Sequence, residues 1–194
     1  FGFFSVFNPD VIKDVQLYKG GIPARYGGRL SSVLDIYQKE GNNKEFKLTG
    51  GVGLVSSRLM AEGPIKKGKS SFLVGGRASY AHLFLPVLYN ENKAYFYDLN
   101  SKINYRFDKN NNLFFSTYFG KDLFGINESF VNTYGNTVAN LRWNHLFSDK
   151  LFSNLSLIYS DYFYGLTLDF VGFEWDSGIT NYNIKYDFDY YVKD

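Results

Sequence analysis

Hydrophobic and polar residues alternate along two segments of the chain, and this alternation predicts β-strands. From residue 95 to residue 107, the odd positions carry mostly aromatic and aliphatic side chains, whereas most of the even positions carry charged or amide side chains. Residues 179–190 show the same pattern with the opposite parity. A strand directs successive side chains to opposite faces, whereas a helix would distribute both sets around a cylinder. Each segment is therefore predicted to be a strand with one apolar and one polar face.

Weaker alternation elsewhere brings the prediction to about seven strands. In the first of the additional candidates, the apolar parity changes between Leu54 and Leu59, which we interpret as a β-bulge or as a strand end that stands clear of lipid. The additional candidates cover approximately residues 46–62, 70–82, 112–123, 138–147 and 152–168.

The predicted connections alternate between short and long. The short, polar ones are 63–69, 108–111 and 148–150, and the longer ones are approximately 83–94, 124–136 and 169–177. Bacterial outer-membrane barrels have short periplasmic turns and longer outer loops, whereas a soluble sandwich with Greek-key crossovers lacks so regular a pattern. The sequence therefore favours an all-β fold, an antiparallel up-and-down transmembrane β-barrel, over a soluble β domain.

Composition narrows the class of protein further. Aromatic residues make up 20% of the chain, with 17 Tyr and 20 Phe, which fits a membrane interface or a surface that stacks sugars. The formal net charge of +2 gives no reason to expect a nucleic-acid partner. The lack of Cys fits a reducing cytosol or a bacterial envelope protein without disulfides. No apolar run approaches the roughly 18 residues of a membrane-spanning helix, so a helical membrane protein is excluded.

The first part of the chain, residues 1–40, follows a different pattern. Residues 11–18 alternate like a short soluble strand, two glycine pairs interrupt the alternation, and residues 33–37 alternate again. Residues 41–45 are mostly polar and begin with glycine, so they are predicted to form a linker.

This first part resembles the closing part of the plug domain in TonB-dependent outer-membrane transporters. The resemblance rests on a strand ending in Lys19-Gly20, on Arg25-Tyr26-Gly27-Gly28, and on a final small-and-aliphatic strand at residues 31–36. The sequence of residues 21–32 is most similar to that of the family branch that includes nutrient importers of the starch-utilisation type. It departs from the commoner family form, which has Gly-Pro after the Lys.

The resemblance implies a fold, a location and a function. Residues 1–40 would end a plug domain, 41–45 would be the linker, and 46–194 would form the first strands of a barrel of about 22 strands in the bacterial outer membrane. The function would be active import of a nutrient or metal chelate. The partners would be outer-membrane lipid, a surface lipoprotein lid, and the periplasmic TonB protein, which would act through a part of the transporter that we expect to lie outside this sequence.

Two groups of residues are candidates for the functional site. Glycines in the plug turn are expected to permit positive φ angles, and the arginines there to pair with the barrel wall or to be solvated. Aromatic residues in the long loops are expected at the outer membrane interface, with contact to ligand or partner as the alternative. The plug-turn group is Gly20, Gly21, Arg25, Tyr26, Gly27, Gly28 and Arg29, and the loop group is Phe84, Tyr89, Phe173 and Trp175.

Several motifs suggest catalysis or cofactor binding but lack the required context. Residues 63–70 match the phosphate-loop pattern, yet an alternating strand follows where the motif needs a helix, so we predict a basic hairpin turn. His82 and His145 have no second ligand at metal-binding spacing. No paired carboxylates and no Gly-x-Ser-x-Gly elbow are found. We expect no catalytic residues, no cofactor and no metal, so the chain is not predicted to be an enzyme.

Two functions other than active import stay open at this point. One is a passive outer-membrane channel. The other is a barrel subunit with mainly a scaffolding or binding role in a larger outer-membrane complex.

Overall fold

The computed structural model describes residues 8–27, 31–80, 83, 93–126 and 129–192. Within them the regular structure consists of β-strands and short 3-10 turns, including Ala24–Tyr26 and Asp169–Val171. The strands are β1 (Ile12–Tyr18), β2 (Val33–Gln38), β3 (Lys47–Val52), β4 (Ser56–Lys66), β5 (Ser70–Ser79), β6 (Lys93–Arg106), β7 (Asn111–Ile126), β8 (Phe130–Ser148), β9 (Leu151–Leu168) and β10 (Phe173–Tyr190).

Strands β3 to β10 form one antiparallel sheet of 8 strands in which every strand pairs with its neighbours in sequence. The all-β, antiparallel, up-and-down prediction is thereby confirmed. Strands β3 and β10 lie at the two edges, and in the described part of the chain they pair with β4 and β9 only. Strands β1 and β2 form a separate antiparallel sheet of their own.

The two-residue periodicity puts polar and apolar side chains on opposite faces of the large sheet. In β6, Asn100 and Lys102 are only 4% and 8% exposed, whereas Leu99 and Ile103, which flank them in sequence, are 49% and 42% exposed. This distribution is the reverse of the one in a soluble protein, where apolar side chains are the ones most often buried. The polar face is covered, and the apolar face is open.

The segment 46–62, predicted as one strand, is a hairpin. Strand β3 ends at Val52 and β4 begins at Ser56, and Val52 pairs with Ser57 across the turn. The backbone N–H of Gly53 donates to the carbonyl of Ser56 at 2.9 Å, and the Tyr80 hydroxyl donates to the carbonyl of Gly53. The change of apolar parity therefore marks a chain reversal and not a bulge, and the sheet has 8 strands instead of about seven.

Two of the predicted long connections are mostly strand. Strand β7 continues to Ile126 and β8 already begins at Phe130, so most of 124–136 belongs to the sheet. Strand β10 begins at Phe173 after the 3-10 turn Asp169–Val171. Gly172 joins the two and has a φ of 63°, in the left-handed region that favours glycine. The prediction of regular short and long connections is wrong at these two places. The connection between β5 and β6 lies mostly outside the described residues.

Candidate functional site

The polar face of the large sheet contacts the N-terminal segment, by which we mean the described residues from 8 to 40. We call this face the inner face and the opposite one the outer face. Strand register assigns each side chain to one of them, because residues paired across strands share a face. The inner face includes Asn100, Lys102, Ser116, Asn136, Asn140, Arg142, Ser156, Asn183 and Lys185, and the outer face includes Leu59, Val74, Leu99, Ile103, Phe119, Leu141, Leu157 and Ile184.

The outer face carries a band without Asp, Glu, Lys or Arg. In β9 this band runs from Leu151 to Tyr159, about 26 Å along the strand at about 3.3 Å per residue. A tilt of about 40° would reduce its height to about 20 Å, close to the apolar band of about 25 Å on outer-membrane barrels. At the end of the sheet where β9 turns into β10, charged outer-face residues lie beyond the band, among them Lys93, Lys121, Asp161, Glu174 and Asp176.

Aromatic side chains line both margins of this band. At one margin Tyr159 and Tyr182 have ring centroids 5.3 Å apart, and Tyr97 and Phe119 have theirs 5.9 Å apart. At the other margin lie Tyr105, Phe107, Trp143, Phe147, Tyr186 and Phe188, several of them in ring contact. Aliphatic residues such as Leu141, Leu157 and Ile184 occupy the space between. Two aromatic rows around an aliphatic belt are typical of a barrel wall in a bilayer.

Beyond the band the polarity of the two faces is exchanged, because aromatic side chains there lie on the inner face. Tyr164 accepts a hydrogen bond from Asn132 Nδ2 at 2.8 Å and contacts the Trp175 ring with centroids 5.9 Å apart. Trp175 and Phe173 lie in strand β10 on the inner face, so the prediction that they belong to a loop is wrong. Their expected place at the outer membrane interface, or in contact with a ligand or partner, stays a prediction. Phe84 and Tyr89 lie outside the described residues.

One end of the N-terminal segment is packed against β4, β5 and β6. Val11 is fully buried and forms a small apolar cluster with Met60 and Leu73. A Cβ built on Gly75 would lie 2.6 Å from Val11 Cγ1, so only glycine allows this close approach. Asp10 adds an ion pair with Arg58 at 3.3 Å.

Polar contacts continue this interface along β2. Gln38 Nε2 donates to Asn100 Oδ1 at 3.3 Å, and Lys102 Nζ donates to the carbonyl of Gln38 at 3.2 Å. The sequence did not predict these contacts, because they join positions more than 60 residues apart. The signal that was available in the sequence was the row of charged and amide residues at even positions of β6.

The plug-turn candidates lie at the other end of the segment. Tyr26 donates a hydrogen bond to Asp35, which raises the pKa of the Tyr26 phenol well above its usual range. Lys185 Nζ of β10 lies 5.6 Å from the centroid of the Tyr26 ring, so Tyr26 contacts the large sheet here. The Arg25 guanidinium carbon lies over the same ring, 5.1 Å from its centroid.

The glycines of this turn differ in what they require. Gly21 has a φ of 59° and so needs the left-handed conformation, whereas Gly27 has a φ of −50° that any residue can adopt. Gly20 has open space around it. Gly28 and Arg29 lie outside the described residues, so the structure places Arg25 alone of the two candidate arginines.

The region that matches the phosphate-loop pattern is a hairpin turn, as predicted. Strand β4 ends at Lys66, β5 begins at Ser70, and Lys69 N–H donates to the carbonyl of Lys66 at 2.9 Å. Gly68 supplies the positive φ of 73° that the tight turn needs. A strand follows, so these residues do not form the helix N-terminus that would hold phosphate.

Two further observations bear on the type of protein. Among the residues described by the structure, no helix is both long and apolar enough to cross a membrane. No protein-family model, curated protein or solved structure matches this chain. The features that bear on function are therefore the two faces of the sheet and the segment that covers one of them.

Proposed function

We propose that this chain is part of the wall of a bacterial outer-membrane barrel together with the end of its plug, and that it serves TonB-dependent import of a nutrient or metal chelate. The observation that carries the proposal is the contrast between the faces of one sheet. The outer face is an aliphatic belt between aromatic rows, and the inner face is polar and covered by the N-terminal segment. A lipid-facing wall around a plug requires this arrangement.

The contacts of the N-terminal segment suit a plug that must move when it is pulled. The apolar cluster around Val11 is small, and the polar contacts to the large sheet are single hydrogen bonds. The neutral one from Gln38 contributes about 0.5–1.5 kcal/mol, and the one from the charged Lys102 about 1.5–3 kcal/mol. The partly exposed ion pair of Asp10 with Arg58 adds about 0.2–1 kcal/mol. Such an interface holds the segment in one place at rest, yet its contacts can break in succession under force from the TonB protein.

A disulfide between segment and wall tests whether this motion is needed. Because Cβ atoms at positions 11 and 75 would lie within disulfide reach, the pair Val11→Cys and Gly75→Cys can be oxidised, and the sequence contains no other Cys. The nutrients tested in the uptake assay are those on which cells no longer grow when the gene is deleted. Oxidation is expected to abolish uptake of such a nutrient, and a reductant is expected to restore it.

A matched control places the disulfide inside the wall. Ser101 Oγ and Thr117 Oγ1 lie 2.7 Å apart on β6 and β7, so Ser101→Cys with Thr117→Cys joins two wall strands and leaves the segment free. This control is expected to keep full uptake when oxidised. Equal uptake by the oxidised and reduced forms of the segment-to-wall pair would contradict a mechanism that requires plug motion.

The two alternative functions give different results in the same cells. A passive channel would continue uptake after removal of TonB. A scaffolding subunit would copurify with stoichiometric partners, and its deletion would leave growth normal on every nutrient tested. Active import requires uptake that stops without TonB.

A further inference from the structure

A cavity of about 460 Å³ lies between the N-terminal segment and the inner face of β6, β7 and β8. Its volume falls within the range of about 300–1,000 Å³ that is common for small-molecule sites. Side chains from both partners line it, including Glu40 of the segment and Lys102, Phe114, Asn140 and Arg142 of the wall. The cavity is thus formed only while the segment is docked.

Two cations share one aromatic ring in this cavity. The Arg142 guanidinium carbon lies 4.5 Å from the centroid of the Phe114 ring, and Lys102 Nζ lies 5.7 Å from it. In the described part of the chain, neither cation has a carboxylate within the 4.0 Å of an ion pair. Lys102 gives one of its three donors to the carbonyl of Gln38, and Arg142 Nε is buried with no described hydrogen-bond partner.

The acidic groups of the cavity do not neutralise these cations fully. Asp35 also lines the cavity but already accepts the Tyr26 hydroxyl, and Glu40 is the remaining acidic residue. Lys13 adds a third cationic lining residue to Lys102 and Arg142. The lining therefore carries more positive than negative charge, which favours an anionic occupant.

The same cavity also offers hydrogen-bond acceptors. Asn136 Oδ1 and Asn140 Oδ1 are buried, and neither has a partner among the described residues. They lie four residues apart on β8, on the face that carries Arg142. Unpartnered buried acceptors are costly, so a ligand that brings O–H or N–H donors would be stabilised there.

We propose that this cavity binds a small carboxylate that also carries a hydroxyl group, of the kind represented by malate. One carboxylate lies at Arg142 and the second at Lys102, the carbon chain lies near Phe114, and the hydroxyl donates to Asn140 Oδ1 or Asn136 Oδ1. The inference deepens the proposed import function and rests on it only for the delivery of the ligand to the lumen.

The test is calorimetric titration of the protein, expressed from its complete reading frame and purified in detergent at low salt. The probes are L-malate, succinate, which lacks only the hydroxyl, and uncharged erythritol. Malate is expected to bind about fivefold more tightly than succinate, as one net hydrogen bond predicts, and erythritol should not bind. Absence of malate binding, or equal affinities for malate and succinate, would overturn the assignment.

Variants separate this site from general attraction to a polar lumen. Arg142→Gln is expected to weaken malate binding at least tenfold because it removes a charge-assisted contact. The matched control Lys185→Gln removes an inner-face cation outside the cavity lining and should change affinity less than twofold. Asn140→Leu removes the Oδ1 acceptor proposed to bind the malate hydroxyl. The difference in affinity between malate and succinate should therefore become smaller in this variant. Equal loss in the Arg142 and Lys185 variants would refute a specific site.

A conservative variant guards against misfolding. Arg142→Lys keeps the charge and loses the planar fork, so binding should weaken about three- to tenfold. Unchanged malate affinity in this variant would refute direct contact with Arg142. Because binding is measured on isolated protein and uptake in cells, loss of malate binding with intact TonB-dependent uptake would refute the site alone. Intact binding with no uptake would refute the import function alone.

Discussion

Replacing an outer-face leucine by arginine asks directly whether this face lies in hydrocarbon. Leu157 is 43% exposed and pairs with Leu141 and Ile184, inside the uncharged band. In a bilayer, Leu157→Arg is expected to lower the free energy of unfolding by about 2–4 kcal/mol near the midplane. If the same face were in water, a substitution at so exposed a position would change the free energy of unfolding by about 0.5 kcal/mol or less.

The assay is urea unfolding of the protein in phospholipid vesicles. Thr137→Arg is the matched control, since Thr137 is also on the outer face but pairs with Asp161, beyond the band. This variant should lower stability by about 1 kcal/mol or less, because the cost of arginine falls toward the membrane interface. Equal stability of the wild type and Leu157→Arg in vesicles would refute the assignment of the outer face to lipid.

Two more predictions concern the N-terminal segment. Gly75→Ala should lower the free energy of unfolding by about 1–3 kcal/mol, because the new Cβ would lie 2.6 Å from Val11 Cγ1. In a double-mutant cycle, the loss caused by Gly75→Ala should be smaller in a Val11→Ala background. Strict additivity of the two substitutions would contradict the contact. The hydrogen bond to Asp35 raises the pKa of Tyr26. The contribution of this hydrogen bond to stability should therefore be complete below about pH 10, the usual tyrosine pKa, and should be lost as the pH rises through the raised pKa. Denaturant titrations should then show Tyr26→Phe less stable than the wild type at pH 8 and a smaller difference at pH 11.

The sequence was sufficient to predict the parts of β6 and β10 that alternate most regularly, because an apolar stripe runs on one face through residues 95–107 and 182–190. It was insufficient at the hairpin after β3. The turn there contains one glycine, Gly53, followed by Leu54, which is 92% exposed, and Val55, and these two apolar residues do not signal a turn as Asn, Asp or a second Gly would. Two apolar residues in a tight reversal read as a continuation of the strand.

The loops that were predicted too long, at residues 124–136 and 169–177, have another cause. The apolar stripe of β7 and β8 moves from the outer to the inner face near Lys121 and Gly135, which pair with each other. A search for one continuous stripe ends at such a point, although the backbone hydrogen bonds continue. The strands therefore extend beyond the segment that periodicity alone identifies.

The candidate site depends on contacts that no local pattern contains. Val11 meets Gly75, and Gln38 meets Asn100, only because the N-terminal segment lies across the inner face. The sequence did indicate a polar face on β6, and so predicted where such contacts were available. It could not predict that Arg142 and Lys102 would share the ring of Phe114, since three strands contribute to that group.

The exchange of polarity along the long strands also has a mechanical consequence for a protein in a bilayer. Moving the wall along the membrane normal in one direction would bring Lys121 and Asp161 into hydrocarbon, and moving it in the other would bring the aromatic row around Trp143 into water. In a bilayer, the amino-acid sequence would thus set the immersion depth, and lipids of a different chain length would have to thin or thicken locally around the protein.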